Sequence, residues 1–163
     1  MKKIKRCIVI FMVCIMSMVQ ALPIYAYDES IEWYEMVEEN FEVVSEDSED
    51  SIEIEPYSLY IMDVMTTTKK LSSSKLGLRA DIYCSAKMKS IDVTFYLQKS
   101  SGSSWVTISS GSASTATDVY STVKQMTVSG LSSGTYRTKA VAFVRDYSGF
   151  GETFTGYSGS LTI

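Results

Sequence analysis

Past residue 56 the chain carries six carboxylates, Asp63, Asp81, Asp92, Asp118, Asp146 and Glu152. Two of them at a suitable separation could hydrolyse a glycosidic bond, one protonating the leaving oxygen and the other acting as base or nucleophile. Alternation places Asp81 and Asp92 on outward faces of neighbouring strands, where acids are ordinarily solvated neighbours of Lys and Arg. The chain contains no histidine. That removes the Ser-His-Asp and Cys-His mechanisms, in which imidazole moves the proton at neutral pH. The usual zinc sites go with it, because one cysteine past residue 14 cannot supply a ligand set. No glycine-rich phosphate loop is present, and neither a cofactor nor a metal is expected.

Cys84 admits a sharper chemistry, an internal thioester with Gln98 or Gln125 of the kind found in extracellular adhesins. Its own strand argues otherwise. Cys84 continues an inward row, and a buried free cysteine behaves as a small hydrophobe. Lys–Asn isopeptide crosslinks are excluded past residue 56, where there is no Asn. A Lys–Asp version has no spacing that singles it out.

Aromatic residues are the remaining candidates. Tyr60, Tyr83, Tyr96, Tyr120, Tyr147, Phe150 and Tyr157 include several expected to face solvent, where rings stack on sugars or anchor protein interfaces. The stretch Asp146-Tyr147-Ser148-Gly149-Phe150-Gly151 sets two rings on a turn between the last two strands. Tyr147, Phe150, Tyr96 and Tyr83 are therefore the candidate ligand-binding residues. The competing account is that such rings stabilise cross-strand packing. Lys69, Lys70, Lys87, Lys89, Arg137 and Lys139 are too diffuse to mark a nucleic-acid surface.

The elements that must position these residues begin with a leader. Met1-Lys2-Lys3-Ile4-Lys5-Arg6 is a basic head, Cys7 to Met16 is continuously apolar, and Ile24 and Ala26 fit the −3 and −1 positions of a signal peptidase site. Residues 1–26 are accordingly expected to be a cleaved secretory signal peptide, with Tyr27 first in the mature chain. An uncleaved anchor is the alternative, but spanning needs roughly 20 apolar residues and Gln20 and Pro23 interrupt the run. The membrane would then be met only in transit. Cys7 and Cys14 leave with the leader, so Cys84 has no intrachain partner even where disulfides are permitted.

Charge divides the rest. Asp28 to Glu55 holds 13 acidic residues and no Lys or Arg, whereas Tyr57 to Ile163 holds 11 basic and 6 acidic ones. The asymmetry marks a boundary near Pro56. Residues 27–56 are expected to be an acidic, mostly disordered linker or propeptide, whose run Glu46-Asp47-Ser48-Glu49-Asp50-Ser51 cannot bury anything. Ile31, Tyr34, Val37 or Glu38, Phe41 and Val44 recur at helical spacing and predict a short amphipathic helix over about 30–44. Docking of this segment through Trp33, Tyr34 and Phe41 is a second reading. Calcium capture is a third, weakened by the lack of the central glycine of an EF-hand loop.

Residues 57–163 are rich in Ser, Thr, Tyr and Val and alternate with period two. Leu76, Leu78, Ala80, Ile82 and Cys84 form one inward row, and Ile91, Val93, Phe95 and Leu97 another. Further strands are expected at 59–67, 105–109, 119–128 (with a bulge near Lys124), 136–145 and 153–163. Seven short strands separated by Ser/Gly turns give an all-β antiparallel sandwich. Leu131-Ser132-Ser133-Gly134-Thr135-Tyr136 resembles the loop and tyrosine that open the penultimate strand of fibronectin type III modules. That resemblance implies an immunoglobulin-like or fibronectin III-like sandwich, with Tyr136 as a tyrosine corner bonding back to upstream backbone. The chain departs from immunoglobulin domains in lacking the cysteine pair, Thr138 standing where the second would fall. Trp105 comes one strand later than the immunoglobulin tryptophan.

Tyr96-Leu97-Gln98-Lys99, the Ser/Gly turn, Trp105 and Gly134-Thr135-Tyr136-Arg137 also resemble an uncharacterised group of small secreted Gram-positive bacterial proteins. These pair a signal peptide with one β-sandwich, and their motifs are structural, as Tyr136, Trp105 and Cys84 are read to be. The expectation is a secreted, extracellular, non-enzymatic monomer that binds an extracellular protein or cell-wall polysaccharide. A spacer module and a carboxylate-dependent glycoside hydrolase are the alternatives.

Overall fold

The computed structural model describes residues 30–35 and 58–163. The leader, the acidic run 46–51 and the expected boundary near Pro56 lie outside the described residues. Among the described residues eight strands form one continuous antiparallel sheet: β1 (Glu32–Glu35), β2 (Ile61–Ser72), β3 (Lys75–Ser101), β4 (Ser104–Ser112), β5 (Ala116–Ser129), β6 (Thr135–Arg145), β7 (Gly151–Tyr157) and β8 (Leu161–Thr162).

The inward rows read from alternation are buried without exception, from Leu76, Leu78, Ala80, Ile82 and Cys84 to Ile91, Val93, Phe95 and Leu97. What alternation did not reveal is that both rows belong to one strand of 27 residues. The first half of β3 pairs with β2 on one side and β5 on the other, and β1 extends β5. The second half pairs with β4 and β6, and β6 carries β7 and β8 on its far edge. The sheet thus folds over along β3 into two facing halves, ordered β2-β3-β5-β1 and β4-β3-β6-β7. Inward parity along β3 changes from even numbers, ending at Met88, to odd numbers, beginning at Ile91, as the strand crosses between halves. Side chains of both halves fill one interior. Each large residue fully buried there contributes roughly 1.5–3 kcal/mol.

β2 closes one edge by meeting the facing half. Gly156 of β7 leaves room for it, since a Cβ there would stand 2.6 Å from Thr66 Oγ1 and 2.8 Å from the Val64 carbonyl oxygen. Thr68 of β2 reaches Thr138 of β6 and Ser158 beyond β7. The chain end is tied down by reciprocal bonds between Gly134 and Ile163.

Several expectations are corrected. Residues 58–163 hold seven strands, β2 to β8, but they are divided differently from the expected seven: two expected strands fuse into β3 and the last divides into β7 and β8, while β1 comes from the acidic segment before them. Where helical spacing predicted a helix from Ser30, residues 32–35 are strand β1, and the remainder of that span lies outside the described residues. Ile31 and Trp33 point inward and Glu32 and Tyr34 outward, a period of two that the Ile31–Tyr34 spacing disguised. The β3–β5 register runs unbroken past Lys124. It jumps instead between Tyr83 and Met88, where the extra residues lie on β3.

Candidate functional site

The β6–β7 hairpin is built around one carboxylate. Asp146 Oδ1 accepts from the Phe150 backbone N–H at 2.9 Å, and the Ser148 hydroxyl lies 2.8 Å from each carboxylate oxygen. The Asp146 N–H donates to the Phe150 carbonyl at 3.0 Å. Gly149 takes φ +92°, open to a residue without Cβ. The second carboxylate oxygen accepts from Tyr60 Oη at 2.9 Å. The Ser148 bond first, then those of Tyr60 and the backbone, hold the Asp146 carboxyl below the usual range. Tyr60 is pushed up, chiefly by donating to that carboxylate.

This frame presents rings to solvent. Tyr147 is 58% exposed and Phe150 52%. Phe150 stands edge-to-face against Tyr60, centroids 5.9 Å apart, a geometry that aromatic quadrupoles favour. The Tyr147 hydroxyl donates to Asp118 Oδ1, which raises the phenol's pKa, and Tyr120, 61% exposed, lies close enough to add to that shift. Asp118 itself adopts φ +59°, uncommon for a residue with a Cβ. Glu152, at the start of β7, accepts from the backbone N–H groups of Leu59 and Tyr60 at 3.0 and 2.9 Å. Burial pushes the Glu152 carboxyl up, but bonds from Ser58, Tyr60, Leu59 and Ile61 together bring it below its ordinary value. Segments far apart in sequence therefore converge on one aromatic end, held by Asp118, Asp146 and Glu152.

The four expected ligand-binding residues lie on three surfaces. Tyr147 and Phe150 share this end. Tyr83, 43% exposed, is on the outer face of the first half, opposite Asp63 and Ser121. Tyr96 is on the outer face of the second half, packed into a ladder of rings and cations. There the Arg137 guanidinium sits 4.6 Å from the ring centres of both Trp105 and Tyr157, and Lys139 lies 5.7 Å from Tyr96 and 6.0 Å from Tyr157. Arg137 Nε also donates to Gln98 Oε1 at 2.7 Å.

Asp81 and Asp92 stand eleven residues apart in β3, on the outer faces of opposite halves, and not on neighbouring strands as expected. Asp81 is buried in a bidentate pair with Arg79 at 2.7 and 2.8 Å, and Asp92 accepts from Thr115. They form no dyad. Gln98 is taken by Arg137 and by Thr107 on an outer face, and Gln125 lies opposite Arg79, on the face of β3 away from Cys84. Neither glutamine is placed for a thioester. The Cys84 thiol is pushed up to about 11, by burial first and then by the Glu152 charge. Among the described residues, no group of three or more Cys, Asp or Glu could hold a metal ion. Tyr136 is buried and its hydroxyl donates to the Ser132 carbonyl oxygen at 2.6 Å, the upstream backbone bond expected of it.

Sequence reasoning missed Tyr60, Asp118 and Asp146 as parts of one site. Asp146-x-Ser148-Gly149 after a strand is the signal that could have found the loop, because Asp side chains cap turns of this kind. Compared with known proteins, the chain matches no family model and no curated protein.

Proposed function

We propose that this is a secreted, non-enzymatic binding module that takes an extracellular protein or polysaccharide at the aromatic end formed by Tyr60, Tyr120, Tyr147 and Phe150. The observation that carries the proposal is the Asp146-centred hairpin, which fixes two exposed rings before any ligand arrives. Rigid, exposed rings bind with little ordering cost, which suits stacking on sugars or anchoring a protein contact. The leader at 1–26 supports export, and the lack of histidine supports a role in binding over catalysis.

The strand order supports kinship with immunoglobulin and fibronectin III sandwiches. With β2 as A and the two halves of β3 as B and C, one half reads A-B-E and the other C′-C-F-G, with Tyr136 opening F as a tyrosine corner. β1 takes the edge beside E that strand D fills in immunoglobulin domains.

The proposal is tested by binding the chain from Tyr27 onward to cell-wall preparations, glycan arrays and extracellular protein. Retention is expected, with loss in Tyr147→Ala and Phe150→Ala and none in Tyr83→Ala. If no surface retains the protein, or both variants bind like the parent, the spacer reading replaces this one. Mass spectrometry of exported protein is expected to find Tyr27 at its N-terminus.

A further inference from the structure

The described part of the acidic segment is seated in a slot that fits it closely. β1 pairs antiparallel with β5, Glu32 opposite Ser129, Trp33 opposite Val128, Tyr34 opposite Thr127 and Glu35 opposite Met126. Trp33 then crosses to the facing half, where its indole Nε1 donates to Ser109 Oγ at 2.8 Å. Its ring lies on Gly111 of β4, where a Cβ would stand 2.5 Å from Trp33 Cε3. Glu35 Oε1 accepts from the Ser114 N–H at 3.1 Å and from its hydroxyl at 2.6 Å. Ile31 is buried beside Gly130, where a Cβ would run into the Ser30 carbonyl. Within five residues the domain thus recognises an apolar residue, an indole and a carboxylate at alternate positions. Peptides recognised as added strands are read in the same way, main chain for affinity and alternate side chains for specificity.

Among the described residues β1 is an edge strand, paired with β5 alone, and 22 residues, 36–57, separate it from Ser58. Fully extended, that length of chain reaches about 70 Å, against a radius of gyration near 13 Å for a domain of about 100 residues. The strand can therefore leave its own slot and still reach that of a neighbour, trading each contact for an identical one. We propose that Ile31–Glu35 is an exchangeable plug, and that a second copy of this chain is the partner that fits the slot, each copy's β1 pairing with the other's β5. A covalent tether holds the plug at an effective concentration on the order of millimolar. Dilute protein is therefore closed on itself, and exchange sets in as chain concentration approaches that level. This inference does not depend on the aromatic end.

Two variants of the chain from Tyr27 onward separate plug from slot. Trp33→Ala weakens the plug by its indole and leaves the slot intact, while Gly111→Val fills the indole's part of the slot and leaves the plug unchanged. Gly111 has no positive φ, so the backbone accepts valine. By sedimentation at about millimolar concentration, each variant alone is expected to be monomeric and their mixture to form a one-to-one heterodimer. In parallel, a synthetic peptide of residues 28–37 is titrated into Trp33→Ala and followed by amide NMR. Shifts at Ser109, Gly111 and Ser114 are expected, at least tenfold weaker in the parent protein, whose slot is occupied in cis. A mixture that stays monomeric while the peptide binds overturns exchange between copies. A peptide that leaves those amides unmoved overturns the slot itself, and that second readout needs no folded Gly111→Val.

Discussion

Thr68 and Thr138 face each other across the interior with their hydroxyl oxygens 2.5 Å apart, a buried polar contact beside the apolar core. Thr68 also lies 2.7 Å from Ser158 Oγ, which accepts the Thr138 N–H at 2.9 Å and donates to the Gly159 carbonyl. One assignment satisfies every group: Thr138 donates to Thr68, Thr68 to Ser158, and Ser158 to Gly159. The network ties β2 to β6 without a disulfide. Ser158→Ala leaves the buried Thr138 N–H without an acceptor and Thr68 with only Thr138 as a side-chain partner, and is expected to lower stability by about 1 to 3 kcal/mol. Urea unfolding with unchanged m-value measures it. A loss within about 0.5 kcal/mol, the range of surface substitutions, would remove the network from the forces holding the halves together.

Arg137 is held between two rings and by Gln98, so its guanidinium is used as a plane as much as a charge. Arg137→Ala is expected to cost about 1 to 2 kcal/mol. Arg137→Lys should recover only a minor part, since an ammonium neither stacks nor keeps the bond geometry. Equal stabilities of the lysine variant and the parent in thermal melts would show that charge alone matters there.

The two inward rows of β3 were legible because burial on one face enforces a period of two. Their fusion was not legible, since Ser85, Ala86, Lys87, Lys89 and Ser90 are the small and charged residues of an ordinary turn, while the strand runs on through a register shift between Tyr83 and Met88. The aromatic end was half legible. Tyr147 and Phe150 stand out locally, but the bond from Tyr147 to Asp118 spans 29 residues and that from Tyr60 to Asp146 spans 86. No local pattern encodes such pairs. β1 was misread because Glu35, exposed and bound by Ser114 at the position where alternation calls for an apolar residue, broke the pattern that would have announced a strand.

Cys84 is expected to behave as a core residue. With its thiol pushed up to about 11 from an ordinary 9.0, the thiolate fraction near neutral pH is about a hundredfold below that of an ordinary cysteine. The chain from Tyr27 onward carries this single thiol, so iodoacetamide labelling at fixed pH reads it alone. Labelling should be about a hundredfold slower in folded than in urea-unfolded protein. Equal rates would place the thiol in solvent.

Acid should open the aromatic end before the core. Asp146 and Glu152 are both held below their ordinary values in the folded chain, Asp146 by the Ser148 bond first, Glu152 by bonds that outweigh its burial. A depressed folded value means that the folded state favours the charged form. The stability it brings is therefore complete above the ordinary carboxylate range and is lost as pH falls below about 4. Protonated Glu152 releases the Leu59 and Tyr60 amides, and protonated Asp146 releases the Tyr60 hydroxyl and the Phe150 amide. In hydrogen exchange between neutral and acid pH, corrected for intrinsic rates, the amides of Leu59, Tyr60 and Phe150 should lose protection while that of Phe95 keeps it. Glu152→Gln should remove the pH dependence at Leu59 and Tyr60 and preserve it at Phe150. Loss of protection at all four amides together would mean that the two carboxylates stabilise the whole sandwich rather than its aromatic end.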